Sequence, residues 1–339
     1  MENKVLFTDN ELSRSLLSDS FNFVLDKESG VSLCWGKNIN ESPEYDPTFP
    51  QQIAFKIDST FNLNKMLQTF NFLANIKIKQ ENKDAEDNKE SFVSITDEIE
   101  ALTNENTVCL STLGCVYLIF DNSIKNINID NVLKFINYIK KFKVAFHIQM
   151  NIDTEFSMTE YFKIKLLSTK LMLRTECTNS QALLNNLKQL ENQDITVGLE
   201  LIVTKNNINT IFDLAEKLTN KNISITFYFV EPYISTSEYV KVQKTFVEKE
   251  FTAIQLATCN HNRFNKRKPN IHINVIDCDA SRFSIYVENN EIYPCQFKTT
   301  NSISLNNCKS ISDFWQSKSL NKFRKYIIEN NFCKLINKK

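Results

Sequence analysis

Two kinds of apolar segment alternate through most of this sequence, and the alternation limits the possible folds more than any other feature. Short apolar runs at 53–57, 144–150 and 195–203 have the length and composition of buried strands. Between such runs, the segments 61–73, 128–142 and 180–191 repeat apolar residues at the spacing of an amphipathic helix. Further helices are predicted near 158–167 and over 236–256. About six such units in succession predict an α/β fold, with parallel strands and right-handed crossovers forming an open or partial barrel covered by helices. Ligands bind folds of this kind at the carboxyl ends of the strands.

The same pattern divides the chain into three regions. Residues 1–50 mix short apolar runs with turn formers and prolines, which predicts an irregular lead-in segment. The alternating units fill 51–260, and a basic, proline-containing stretch at 261–270 follows them. From 271–339 the pattern changes to a hairpin that turns at 288–290 and then to a helix. We therefore expect a lead-in, a barrel domain and a small C-terminal domain.

The charge of the chain gives no reason to expect a nucleic-acid or membrane partner. Lysine plus arginine and aspartate plus glutamate both number 40, so no net field attracts a polyanion. No apolar run reaches the roughly 18 residues of a membrane span, and the N-terminal sequence lacks the apolar core of a signal peptide. These features predict a cytoplasmic protein that recognises its partner by shape.

Few residues suggest catalysis. The chain has only four glycines, and no phosphate-binding loop or dinucleotide fingerprint can be assembled from them. His147, His261 and His272 are far apart and lack the spacing of a metal site, so they are predicted to be structural. We assign no catalytic residue, and the sequence leaves open whether the chain is an enzyme.

The nine cysteines of a cytoplasmic chain are expected to be reduced. Cys34, Cys109, Cys115 and Cys177 lie in apolar or strand-like contexts, which favours burial as small hydrophobic side chains. Four more lie in the C-terminal region, at Cys278, Cys295, Cys308 and Cys333.

These C-terminal cysteines have positions that suit a metal cluster. Sixteen residues separate Cys278 from Cys295 and contain the predicted hairpin, while Cys333 ends the last predicted helix. Thiolates at the ends of a hairpin and at a helix end can converge on one iron–sulfur cluster. The alternative is a hairpin without a cluster, in which the thiols are buried.

This region resembles the SPASM or twitch auxiliary-cluster domain that follows the barrel in many radical S-adenosylmethionine (SAM) enzymes. The resemblance rests on a cysteine, a hairpin, Pro294-Cys295, the stretch Ile311-Ser312-Asp313-Phe314-Trp315 and a final cysteine. Asn290 stands where the family usually has a glycine. The resemblance implies one 4Fe–4S cluster with these metal ligands: Cys278, Cys295, Cys333 and, as a candidate fourth ligand, Cys308.

A second similarity lies at 30–58, which resembles the segment that leads many radical SAM enzymes into their first barrel strand. In that family the loop after the strand has the form CxxxCxxC and holds the cluster at which SAM is cleaved. Here Phe61, Lys65 and Gln68 occupy the three positions, and none of these side chains replaces a thiolate on an iron cluster. The loop is therefore predicted to be absorbed into a helix, and SAM is not expected as a cofactor.

Together the two similarities imply a partial (β/α)6 TIM-like barrel of radical SAM type with a small SPASM/twitch-like domain at 271–339. They imply an accessory or peptide-binding protein in peptide or protein modification, which has lost SAM cleavage and holds one auxiliary cluster. Its partner would be a peptide substrate or a peptide-modifying enzyme. Two other interpretations stay open, because a barrel fold hosts many functions. One is an iron–sulfur electron-transfer protein or SAM-independent enzyme that uses the barrel mouth, and the other is a metal-free binding module.

Overall fold

Most strands of this protein belong to one large sheet. The computed structural model describes residues 6–18, 21–26, 32–39, 50–78, 107–109, 113–120, 127–151, 170–177, 180–191, 197–219, 223–229, 234–256, 280–281, 283–289, 291–296 and 302–330. In chain order the strands are β1 (Leu6–Asp9), β2 (Ser13–Leu17), β3 (Asn22–Asp26), β4 (Ser32–Trp35), β5 (Gln52–Ile57), β6 (Ile76–Ile78), β7 (Thr107–Cys109), β8 (Cys115–Phe120), β9 (Ala145–Asn151), β10 (Lys170–Thr175), β11 (Val197–Val203), β12 (Ser224–Phe229), β13 (Ile254–Leu256), β14 (Ser284–Glu288), β15 (Glu291–Tyr293) and β16 (Ile303–Ser304). The helices are α1 (Leu63–Leu73), α2 (Ile129–Lys140), α3 (Ser180–Glu191), α4 (Ile208–Lys217), α5 (Thr236–Glu248), α6 (Ile311–Trp315) and α7 (Lys318–Asn330).

The large sheet is mostly parallel. Across it the strands follow the order β13, β12, β11, β10, β9, β8, β5, β14, β15 and β16. All neighbours from β13 to β14 pair in parallel, whereas the β14–β15 and β15–β16 pairs are antiparallel. From β5 through β8 to β13, neighbours in the sheet are also neighbours in the chain, apart from the separate β6–β7 pair. The α/β fold predicted from the alternating pattern is confirmed.

One face of the sheet is apolar and packs on the helices. In β5, Ile53, Phe55 and Ile57 are fully buried. The ring of Phe55 lies 6.5 Å from that of Phe70 in α1 and 5.4 Å from that of Phe135 in α2. Because side chains alternate between the two faces of a strand, the residues between these core positions belong to the opposite face.

The N-terminal residues form a small sheet of their own, where the sequence predicted irregular backbone. Strands β1 to β4 pair antiparallel in chain order. The rings of Phe21 and Phe283 stack at 6.0 Å and join this sheet to the residue before β14. Arg14, which is 1% exposed, donates hydrogen bonds to the carbonyl oxygens of Leu113 and Phe142 at 3.1 and 3.3 Å. The prediction was wrong because each strand has only four or five residues, too few for a clear alternation.

Several predicted elements are present where the sequence placed them. The helices expected at 61–73 and 128–142 are α1 and α2, and the hairpin expected to turn at 288–290 is the β14–β15 pair. The segment 236–256 was predicted to be helical throughout, yet its end forms β13, which pairs with β12.

The predicted C-terminal helix is interrupted. Gln316 ends α6 and α7 begins at Lys318, so two helices replace one. The helix predicted near 158–167, the boundary at 261–270 and the chain end at 331–339 lie outside the described residues. Among the helices that are described, none combines the length and the apolar composition needed to cross a membrane.

Candidate binding site on the polar face of the sheet

The face of the large sheet that points away from the core carries polar side chains. The strand register places Arg174 of β10 beside Glu200 of β11, and Glu200 beside Thr226 of β12. Each of these residues alternates with core residues of its strand, so all three share the polar face. Further residues of this face are Lys56, Tyr117, His147, Gln149, Tyr228 and Glu288.

A buried ion pair lies on this face. Nη2 and Nε of Arg174 are 2.9 and 3.0 Å from Oε2 of Glu200, and the two side chains are 14% and 9% exposed. Nε2 of Gln149 donates to the same oxygen, and the Tyr228 hydroxyl donates to Oε1 at 3.4 Å. Burying a charge is costly unless it is paired and hydrogen-bonded, and both conditions are met for the Glu200 carboxylate.

The C-terminal region reaches this ion pair through Gln296, three residues after β15. Its Oε1 accepts a hydrogen bond from Nη1 of Arg174 at 2.7 Å. The Arg174 guanidinium also lies over the Tyr228 ring, 5.4 Å from the centroid. Strands β10 and β15 are five positions apart, which is about 24 Å in a flat sheet. The segment after β15 therefore lies against the polar face at Arg174.

Tyr117 and His147 form a second part of the polar face, with ring centroids 5.1 Å apart. Burial raises the pKa of Tyr117, and three neighbours raise it further: Cys115, Tyr228 and Glu200. The contact between Arg174 and Gln296 joins strands that would lie about 24 Å apart in a flat sheet. This contact requires the sheet to curve toward the polar side. The polar face is therefore concave.

A second ion pair lies where this face meets the hairpin. Nζ of Lys56 is 2.7 Å from Oε1 of Glu288 and 3.6 Å from Oδ2 of Asp58. The Thr60 hydroxyl lies 2.8 Å from Oδ1 of Asn289. These contacts join the loop after β5 to the turn between β14 and β15, and so hold the hairpin beside the first strand of the parallel series.

The loop after β5, where the similarity places a cluster-binding motif, leads directly into α1. Asn62 caps this helix by accepting a hydrogen bond from the amide of Lys65. Lys65 and Gln68 lie inside the helix, Phe61 lies just before the cap, and Met66 is buried. The prediction that this loop is absorbed into a helix is confirmed.

A small cavity of about 220 Å³ opens beside this helix start. Its lining residues are Phe61, Asn62, Leu63, Asn64 and Asn131. Pockets for cofactor-sized ligands typically have about 300–1,000 Å³. We therefore take the concave polar face, and not this cavity, as the candidate site.

Two of the four predicted cluster ligands are among the described residues. Cys295 follows β15, Cys308 follows the short 3₁₀ turn Leu305–Asn307, and neither forms a disulfide. Sγ of Cys308 lies 3.9 Å from the carbonyl oxygen of Ser304. Burial raises the pKa of the Cys308 thiol, and Asp313 adds to this effect.

Cys278 and Cys333 lie outside the described residues, so the cluster itself stays a prediction. In the part of the chain that the structure describes, no three His, Cys, Asp or Glu side chains are close enough to hold a metal ion.

Two residues of the C-terminal region, Trp315 and Arg324, are packing residues in this structure. Arg324, 1% exposed, lies 4.6 Å from the centroid of the Trp315 ring. Its guanidinium donates hydrogen bonds to the carbonyl oxygens of Trp315 and Ser281. Trp315 is fully buried and acts as a packing anchor. This contact holds α6, α7 and the residues before β14 together.

The ion pair was not predicted, although the sequence contains a signal for it. Arg174 and Glu200 each interrupt an apolar run, in LMLRTEC and VGLELIV. Charged residues are almost never fully buried unless they are paired, so a charge inside a buried strand predicts a partner on another strand. Cys115 is buried, as predicted. It lies on the polar face beside Tyr117, as does His147, which was predicted to be structural.

Comparisons of this chain with protein-family models, with curated proteins and with solved structures gave no match. Its function therefore has to be inferred from the geometry of the polar face.

Proposed function

We propose that this chain is an accessory protein that binds a peptide on its concave polar face, built on a radical-SAM-type partial barrel that has lost SAM cleavage. The observation that carries the proposal is the chemistry of the face. Amide and tyrosine side chains surround the Arg174–Glu200 pair, with Gln149, Gln296 and Tyr228 in contact with it. Amides and hydroxyls both donate and accept hydrogen bonds, as binding to a peptide backbone requires.

The order of the strands supports a partial barrel of this type. In a doubly wound sheet the strand order reverses at a switch point. From β5 to β13 the order has no reversal, which is what successive right-handed crossovers produce in a (β/α) barrel. The β14–β15 hairpin lies beside the first of these strands, and the family resemblance assigns the same residues to a SPASM/twitch-like domain.

The start of α1 supports the loss of SAM cleavage. Lys65 and Gln68 lie on a helix, and Met66, Leu67 and Phe70 pack into the core. A loop that surrounds a cluster cannot at the same time supply these core contacts. The chain's contribution to peptide modification would then be to bind and present a peptide.

The proposed auxiliary cluster would supply electron transfer or a structural link between the hairpin and the last helix. Cys295 is half-buried after the hairpin, and Cys308 is half-buried after the 3₁₀ turn. We keep Cys278, Cys295, Cys333 and, as a candidate fourth ligand, Cys308 as proposed ligands, and derive no step of peptide binding through the cluster.

Selection from a display library of short random peptides tests the proposed function. We expect peptides to be enriched on the wild-type protein and to lose binding to the Tyr228→Ala variant. Val240→Ala, on the exposed side of α5, serves as the control and should bind like the wild type. The proposal fails if no sequence is enriched, or if the enriched peptides bind the Tyr228→Ala variant as tightly as the wild type.

Iron and acid-labile sulfide in anaerobically purified protein test the cluster separately. A 4Fe–4S cluster predicts about four irons per chain, which Cys278→Ala with Cys295→Ala should remove. The iron content of Cys308→Ser shows whether Cys308 is the fourth ligand. Protein without iron would leave peptide binding as the function of a metal-free module.

A further inference from the structure

We infer that the concave face recognises a neutral carboxamide or peptide carbonyl group at Nη1 of Arg174, and that the side chain of Gln296 occupies this place in the absence of ligand. The inference rests on the proposed function for the location of the site. It adds the chemical class of the ligand and the contact that competes with it.

The orientation of Arg174 makes it the anchor of the site. A guanidinium has five N–H donors in a planar fork. Glu200 holds Nε and Nη2 at 3.0 and 2.9 Å, and the Tyr228 ring lies against the guanidinium plane. The hydrogen bond at Nε, the ion pair at Nη2 and the ring against the plane restrict the direction in which Nη1 donates. That donor contacts Gln296, the residue that comes from the C-terminal region.

The charge balance of the site selects a neutral acceptor. Glu200 already neutralises the Arg174 charge in a place where both side chains are largely buried. A ligand carboxylate at Nη1 would put a second negative charge beside Glu200, and like charges that share a buried site disfavour the ionised form. A carbonyl oxygen accepts the same hydrogen bond without adding charge. An internal peptide carbonyl, an Asn or Gln side chain, or an amidated C-terminus has the required chemistry.

Gln296 already shows this chemistry. Its side-chain carboxamide accepts from Nη1 at 2.7 Å, so the structure contains the expected acceptor at a good hydrogen-bond distance. Gln296 is half-buried and joined to its backbone by rotatable bonds. Rotation of this side chain would vacate the place that its own carboxamide occupies beside Nη1.

Variants at position 296 test the inference, with two probes that differ in one group. The probes are a pool of random N-acetylated tripeptide amides and the matching pool with free C-terminal carboxylates. Gln296→Ala removes the competing carboxamide, and it should strengthen binding of the amide pool about tenfold, because hydrogen bonds to charged groups are the stronger ones. The free-acid pool should bind more weakly than the amide pool to wild type and variant alike.

Gln296→Glu tests whether Nη1 of Arg174 prefers a neutral or a charged acceptor. At neutral pH the new carboxylate would be repelled by Glu200, so this variant should bind the amide pool like Gln296→Ala. Weaker binding than wild type would mean that the carboxylate pairs with Arg174, and it would overturn the neutral-acceptor inference. Gln316→Ala, an exposed glutamine after α6, is the control and should not change binding.

The outcomes separate the two proposals. If neither pool binds the wild type or any position-296 variant, the proposed peptide-binding function fails, and this inference fails with it. If the pools bind but position 296 has no effect, or free acids bind as well as amides, only this inference fails. Thermal unfolding of each variant confirms that a change in binding does not come from unfolding.

Discussion

Removal of the Arg174 charge should destabilise the protein strongly. Arg174→Met keeps the length of the side chain but leaves the Glu200 carboxylate, 9% exposed, without its counter-charge. Losing one partner of a buried pair typically costs about 3–5 kcal/mol. Gln149 and Tyr228 still donate hydrogen bonds to this carboxylate. We therefore expect the free energy of unfolding to fall by about 3 kcal/mol, the lower limit of that range.

The size of the chain converts this loss into a melting temperature. Unfolding entropy is about 2.1 cal/mol/K per residue, which amounts to about 0.7 kcal/mol/K for 339 residues. A loss of about 3 kcal/mol therefore lowers Tm by about 4 °C. Differential scanning calorimetry of the wild type and the variant measures this shift.

A double-mutant cycle shows whether the two charges neutralise each other. Glu200→Leu alone should also lower Tm, because it leaves the Arg174 charge buried. The double variant, Arg174→Met with Glu200→Leu, should regain most of the stability, since replacing both charges by apolar groups is often close to neutral. Losses that simply add in the double variant would refute the reasoning, and the neutral-acceptor inference would lose its basis.

An exposed ion pair provides the matched control for this cycle. Nζ of Lys244 lies 3.4 Å from Oε1 of Glu248, and the two side chains are 71% and 60% exposed. Such pairs contribute only about 0–1 kcal/mol, so Lys244→Met should shift Tm by about 1 °C at most.

Three further predictions concern other parts of the molecule. Arg14→Ala leaves the carbonyl oxygens of Leu113 and Phe142 without their donor. We expect the free energy of unfolding to fall by about 3 kcal/mol and a protease to release the N-terminal sheet faster than from the wild type. Unchanged digestion would contradict this prediction. Hydrogen bonds from the backbone and side chain of Ser235 lower the pKa of Glu238. The stability that these bonds contribute is therefore present above the ordinary pKa of 4.5 and is lost as the pH falls through the lowered pKa. In acid unfolding the wild type should lose stability more steeply than Glu238→Gln, and parallel curves would speak against it. Burial raises the pKa of Tyr117. The stability contributed by its buried neutral hydroxyl is therefore fully present below the ordinary pKa of 10.0 and is lost as the pH rises above that value. Tyr117→Phe should therefore lose less stability than the wild type in alkaline unfolding, and an equal loss in both proteins would exclude this role.

Local patterns were most reliable where an element is long and buried on one side. α2 and α3 were placed almost to the residue, because their apolar residues repeat every three to four positions over three turns. The strands β1 to β4 and β13 were missed, since three to five residues are too few to show a period. The pairing of β13 with β12 decides its structure, and its own sequence does not.

The candidate site shows the same limit more sharply. Arg174 and Glu200 can be recognised in the sequence as charges within apolar strands, but their contact joins residues 26 positions apart. Gln296 joins Arg174 across 122 positions and has no local feature that marks it. Strand register and curvature bring these three side chains together, and neither property is visible in a single segment.

The amino-acid sequence by itself determined the α/β class, the chain order of the strands and helices, and the absorption of the first loop into α1. These features follow from periodicity and residue type within short windows, where backbone preference and burial of one face act locally. Only the tertiary structure decided which polar residues meet on the concave face and that β14 lies beside β5. It also decided that Gln296, after β15, contacts the ion pair. Those contacts depend on how distant strands pair and on the curvature of the whole sheet, because a strand's own residues specify its two faces but not its neighbours.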